Sequence, residues 1–171
     1  LWCAALCIVT AILAALLPLD VPEGYSAAQA DRLQWLTENR DPFVAAWVNQ
    51  IVAMLSLSGL FWALCWRGRL NGPLSALLAA GAVAMATMAF VVPKFMAIWT
   101  IPLLANAEAT GGTGAEMAAM LLPLLNVSIP FSLYTSFDYM GFWLYALFAV
   151  LTMRSLYASD GLSRVIAVLV G

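Results

Sequence analysis

The stretch PLSALLAAGAVAMATMAFVVPKFMAIW, Pro73 to Trp99, decides the fold. From Pro73 to Val92 it carries no charge. An uncharged helical run of about 20 residues rises about 30 Å, the thickness of a bilayer's hydrocarbon core. The run does not alternate apolar with polar, so it reads as a helix and not as a barrel strand. Its abundance of Ala and Gly lets helix backbones approach closely in lipid, which marks it as the central helix of a bundle. Pro93 is expected to kink or end it. Directly after Pro93 stands Lys94, the only lysine in the chain.

Composition extends this reading to the whole chain. Of 171 residues, 64% are hydrophobic and 9% charged, against about 25% charged in ordinary soluble domains. So much apolar surface suits a lipid solvent, where every backbone polar group must be satisfied within the segment. The expected fold is all-α: a polytopic transmembrane helical bundle forming a single integral membrane domain over residues 1–171. The apolar first residues and the closing VIAVLVG suggest that the natural protein extends beyond both ends.

The first apolar run is Leu1 to Leu19, read as a retained helix, with a cleaved signal peptide as the other possibility. A polar stretch follows, in which SAAQADRLQWLTENR forms a short amphipathic helix with Ser26 and Gln29 as a capping box. The second crossing runs from Phe43 to Trp66, with Asp41 as N-cap and Pro42 in the first turn. Asn71-Gly72-Pro73 makes the turn into the third. KFMAIW is aromatic and interfacial, and ATGGTG is a loop. The 39 residues from Glu116 to Arg154 are too long for one span and short for two with a turn, so Glu116 to Pro130 is expected to be a re-entrant or interfacial helix broken near Pro130; a full crossing there would put Arg154 outside. The fourth crossing is Ser132 to Arg154, and a fifth helix starts near Leu162. No internal repeat is present.

Basic residues set the orientation. Arg67 and Arg69 flank one turn, Arg154 and Arg164 another. Short loops rich in Lys and Arg stay in the cytoplasm, so both turns are expected there, with the long loops outside. Four crossings satisfy this alternation. The expected location is a bacterial inner membrane.

Intramembrane ionisable residues are costly and invite a functional hypothesis. From helix rise, Lys94 lies about 30 Å above the cytoplasmic start of its helix and Asp138 about 24 Å above Arg154. Asn49 and Gln50 lie roughly 9–11 Å below the outer start of theirs. All four fall at a similar level, with the hydroxyls of Tyr134, Thr135, Ser136 and Tyr139 nearby. The simplest reading has Lys94 snorkelling to the outer headgroups. The alternatives are a structural Lys94–Asp138 pair, or a ligand, ion or proton site built from Lys94, Asp138, Asn49, Gln50, Tyr134 and Tyr139. A retinal Schiff base would need a deeper lysine and more helices.

The aromatic run from Phe131 to Phe148 reads as an interfacial belt plus helix packing. Phe137, Tyr145 and Phe148, or Tyr134, Phe142 and Trp143, could alternatively stack on a lipid, quinone or carotenoid. Histidine is absent, which argues against His-ligated haem, chlorophyll and His-based metal sites, so no resident cofactor or metal is expected. Cys3, Cys7 and Cys65 form no C-x-x-C pair and read as small packing residues. The scattered methionines read as gap-fillers. Asn126-Val127-Ser128 is a glycosylation sequon in an apolar setting and is discounted. The net charge of −2 implies no nucleic-acid partner. No nucleophile elbow, P-loop, dinucleotide fingerprint or metalloprotease helix is present, so a non-enzyme is favoured.

An outer loop after the first helix, an N-x-x-x helix start, and the segment from Gly141 to Gly171 resemble an uncharacterised family of bacterial multi-helix membrane proteins of unknown function. The resemblance implies about six helices and assigns no activity or site residues. The leading functional expectation is a non-catalytic accessory or scaffold subunit, with membrane lipids and other membrane-protein subunits as partners. The alternative is a small transporter or ligand-binding membrane protein with its polar site near the outer face.

Overall fold

A computed structural model of the chain describes residues 1–112, 114–157, 165 and 168. Its secondary structure is helical throughout the described residues: α1 (Trp2–Ala14), α2 (Gln29–Glu38), α3 (Arg40–Gly68), α4 (Pro73–Thr110), α5 (Ala115–Leu125) and α6 (Leu133–Tyr157), with a 3-10 turn at Gly24–Ser26. Three of these, α3, α4 and α6, are long and apolar enough to cross a membrane. The chain is thus compatible with an integral membrane protein built as a helical bundle. The expected fifth helix near Leu162, with Arg164, lies outside the described residues.

Helix α4 is the axis of the bundle. Pro73 occupies its first turn, where a missing N–H costs nothing, and Gly111 closes it in the left-handed region at φ 63°. Its small residues Ala79, Ala82, Ala86, Ala89 and Ala97 are all buried, as expected for close backbone approach. Both α3 and α6 pack on it, and α1 packs on α3. The helix does not end at Pro93. It runs through Pro93 and Pro102 to Thr110, about 57 Å at 1.5 Å per residue. Pro93 is buried, and neighbouring helices let a bundle carry such interior prolines.

Several helix ends differ from expectation. Helix α1 has 13 residues, about 20 Å, so the first apolar run makes a helix shorter than the hydrocarbon core. Ser26 does not cap α2: it sits in the 3-10 turn, where its hydroxyl donates to the Glu23 carbonyl at 2.8 Å. The preceding turn shifts the start of α2 to Gln29, with Ala28 at the cap position. Asp41 likewise falls inside the first turn of α3, because Asn39 takes the N-cap. Its carboxylate still favours the positive end of the helix dipole. Helix α5 ends at Leu125, before Pro130.

Two hydrophobic cores result. One gathers Leu36, Phe43, Trp47, Ala97, Ile101, Ala105, Leu122 and Tyr134, joining α2 and α5 to the upper half of α4. The other gathers Cys65, Ala79, Ala82, Val83, Phe148 and Ala149 toward the Arg67 turn. The short helices α2 and α5 therefore form a cap around the part of α4 beyond Pro93.

Candidate functional site

Lys94 lies where the cap meets the long helices. Pro93 precedes it on α4, and Asp138 belongs to the second turn of α6. The Lys94 Nζ donates to Asp138 Oδ1 at 3.0 Å. Lys94 is only 3% exposed, so it turns inward and does not snorkel. The Asp138 side chain keeps 29% of its surface accessible. Two aromatic rings complete the ammonium's surroundings, with Phe90 at 5.2 Å and Tyr134 at 5.1 Å from ring centre to Nζ. Both distances suit cation–π attraction, which strengthens as water is removed.

These rings belong to a longer file. Trp35, Phe43, Trp47 and Tyr134 follow one another edge to face, with centroids 6.2, 6.0 and 5.2 Å apart. On the far side of the ammonium, Phe90 meets Tyr145 at 5.2 Å, and Tyr145 meets Phe61 at 4.7 Å. Phe61 stacks on Phe148 at 4.6 Å. The ammonium thus occupies a gap in a column of rings drawn from α2, α3, α4 and α6. Tyr145 and Phe148 are spent on this packing. Phe142 meets Phe90 edge to face at 5.1 Å.

Gly141 makes room for the column. A Cβ there would lie 2.6 Å from Phe90 Cζ, so only glycine lets α6 approach the ring that faces Lys94.

The other residues predicted at this level go elsewhere. Asn49 is buried, and its Nδ2 donates to the Thr10 carbonyl at 2.9 Å. It ties α3 to α1. Gln50 is half-buried on α3. Tyr139 is 68% exposed and faces away from the bundle. Thr135 donates to the Ile129 carbonyl at 2.9 Å, and Ser136 to the Ser132 carbonyl at 3.1 Å, so both serve the entry into α6. The Asn126 sequon is closed locally, since the Ser128 N–H donates to Asn126 Oδ1 at 2.7 Å.

Two features escaped the sequence reading. One is a hydroxyl triad: Thr87 donates to Ser58 Oγ at 2.7 Å, and Ser58 shares a hydrogen bond with Tyr145 Oη at 2.9 Å. It joins α3, α4 and α6 about 10 Å below Lys94 along α4. Serine and threonine are unremarkable in apolar runs, so their phase around the helix was the only available signal.

The other is a cavity of about 240 Å³ in the cap, lined among others by Tyr25, Gln29, Arg32, Leu36, Ile101 and Leu122. Beside it the Arg32 guanidinium donates to the Gly24 carbonyl and lies 3.6 Å from Asp20 Oδ2. Asp20 in turn accepts from the Ser128 hydroxyl. This network pins the loop between α1 and α2 to the link between α5 and α6.

The arrangement at Lys94 is closed rather than open: the ammonium is spent on one carboxylate and two rings. Among the described residues no three side chains of the metal-ligating types converge. Comparison with protein-family models, curated proteins and solved structures finds no match to this chain.

Proposed function

We propose that this chain is a non-catalytic accessory or scaffold subunit of a membrane assembly. The observation that carries the reading is the contrast between the two sides of α6. Its inner side is committed to Asp138, Gly141, Tyr145 and Phe148. Its outer side leaves Tyr139, Phe142, Trp143, Leu147 and Val150 exposed. The ionic and hydroxyl contacts between long helices fix their register, while the broad apolar faces remain available to lipid and to neighbouring helices.

The topology that fits this role has α3, α4 and α6 crossing in alternation, the apolar run Leu1 to Leu19, of which α1 is the helical part, as a further crossing beside α3, and α5 lying on the outer side as an interfacial or re-entrant helix. At 11 residues, α5 rises about 16 Å, half of a hydrocarbon core. This arrangement sends Arg67, Arg69 and Arg154 to one side, which the positive-inside rule makes cytoplasmic. We take this membrane to be a bacterial inner membrane.

Purification from native membranes in a mild detergent tests the role. A stoichiometric integral-membrane partner is the expected result. A monodisperse protein without protein partners, carrying a small molecule, would instead favour the second reading, a ligand-binding or transport protein with a polar site near the outer face. The cap cavity beside Arg32 is the observation that supports that alternative.

A further inference from the structure

The end of the bundle opposite the cap carries a groove with a different character. Between α3 and α4, next to their connecting turn, lies a cavity of about 510 Å³ lined among others by Trp62, Trp66, Arg69, Leu70, Leu77 and Ala80. Trp62, Trp66, Leu70 and Leu77 are exposed, so the groove is open at the side of the bundle and apolar along its walls. Tryptophan is the residue type that anchors helices at the membrane–water boundary. Both tryptophans fall in the last two turns of α3.

Arg69 stands at the mouth. Its guanidinium carbon lies 3.5 Å from the centre of the Trp66 ring, and its Nη1 donates to the Trp66 carbonyl at 3.0 Å. The stack fixes the direction of the planar fork, and its remaining N–H donors have no partner among the described residues. No carboxylate among the described residues pairs with Arg69. The described acidic residues other than Asp138 lie in the loops and helices of the opposite end: Asp20, Glu23, Asp31, Glu38, Asp41, Glu108 and Glu116. A pre-aimed guanidinium with no carboxylate partner among the described residues, above an apolar groove at a helix end, has the chemistry to receive a phosphate with an attached hydrocarbon chain. Arginine suits phosphate because its fork donates in pairs, and basic pockets between membrane helices on this side bind anionic headgroups.

We propose that the α3–α4 groove binds one anionic phospholipid of the facing leaflet, its phosphate on Arg69 and an acyl chain against Trp62, Leu77 and Ala80. This site depends on the chain residing in a bilayer, and not on its being a subunit of an assembly.

The test uses the full chain in detergent with dioleoyl phosphatidylglycerol or dioleoyl phosphatidylcholine added, read by native mass spectrometry and thermal unfolding. The expected result is a one-to-one adduct with phosphatidylglycerol at least fivefold more abundant than with phosphatidylcholine, accompanied by a higher unfolding temperature. Arg69→Gln should abolish the preference; because it also gives up the Trp66 stack and hydrogen bond, its lipid-induced shift is read against its own lipid-free unfolding temperature. Leu77→Trp, which fills the groove from an exposed position, should remove the adduct. Phosphatidylglycerol brominated in its acyl chains should quench the parent protein's fluorescence more than the Trp62→Phe/Trp66→Phe variant's. Equal binding of the two lipids, an unchanged preference in Arg69→Gln, an undiminished adduct in Leu77→Trp, or equal quenching of parent and variant would each overturn the proposal.

Discussion

Lys94 shows how one charge is accommodated inside an apolar helical bundle. A lysine at the centre of a spanning helix costs about 2.5–3.5 kcal/mol on insertion scales, an upper bound for Lys94 near the end of its apolar run. Here the cost is offset by a 3.0 Å bond to Asp138 and by two ring faces. Removing either partner leaves the other without its counter-charge. Lys94→Met or Asp138→Asn should each lower stability by about 2 kcal/mol, below the roughly 3–5 kcal/mol of a fully buried broken pair because Asp138 keeps some exposure. The double variant Lys94→Met/Asp138→Leu should recover at least half of that loss, since an apolar replacement of both charges is often tolerated. Unfolding midpoints in one detergent measure all three, and a double variant less stable than both singles would refute the offset. Gly141→Ala should cost about 1–3 kcal/mol through the Cβ placed 2.6 Å from Phe90. Adding Phe90→Leu should return part of it, as the same midpoints would record. Depth arithmetic along the helices was enough to bring Lys94 and Asp138 to one level. It could not separate Asn49 and Tyr139 from them, because depth says nothing about which way a residue faces around its helix. That phase is set by tertiary packing: Asn49 turns to α1, and Tyr139 turns outward.

The helices hold together through sparse polar contacts within an apolar interface. Among the described residues, the Ser58–Thr87–Tyr145 triad touches all three long helices. Interhelical hydrogen bonds in membranes average about 0.6 kcal/mol each. Tyr145→Phe and Thr87→Val should therefore each cost about that much. Their combined loss should fall short of the sum, because both act through Ser58. A double-mutant cycle in detergent checks this, and strictly additive losses would mean that the hydroxyls act separately. The existence and type of the long elements were legible from hydropathy alone: α3, α4 and α6 lie where continuous apolar runs stand. Their ends were less so. Pro93 is a strong local stop signal, yet α4 continues past it to Thr110, because α2 and α5 pack around the extension and bury Ala97, Ile101 and Ala105. Local chemistry predicts where a helix could stop, and packing decides whether it does.

At the scale of the molecule, charge and hydrophobicity are arranged along one axis. The cap of α2, α5 and the end of α4, with the loop before α2 and the first turn of α3, carries seven of the eight described carboxylates, whereas the opposite end carries Arg67, Arg69 and Arg154. Helix α4 is too long for a hydrocarbon core of about 30 Å. If α4 crosses with Pro73 at one boundary, Lys94 falls near the other, and the length to Thr110 extends into the headgroups and beyond. In the proposed topology the cap is the outer end of the molecule, with the Lys94–Asp138 pair at its base. Cysteine labelling tests this layout directly. In a background with Cys3, Cys7 and Cys65 replaced by alanine, Leu70→Cys and Gly112→Cys place single thiols at the two ends of α4, both at exposed positions. In intact bacterial spheroplasts a membrane-impermeant maleimide should label Gly112→Cys and spare Leu70→Cys, and permeabilisation should make Leu70→Cys reactive as well. Labelling of both positions before permeabilisation would mean that α4 does not cross. Labelling of Leu70→Cys alone would invert the orientation, and the Arg67 turn would then lie outside despite its charge.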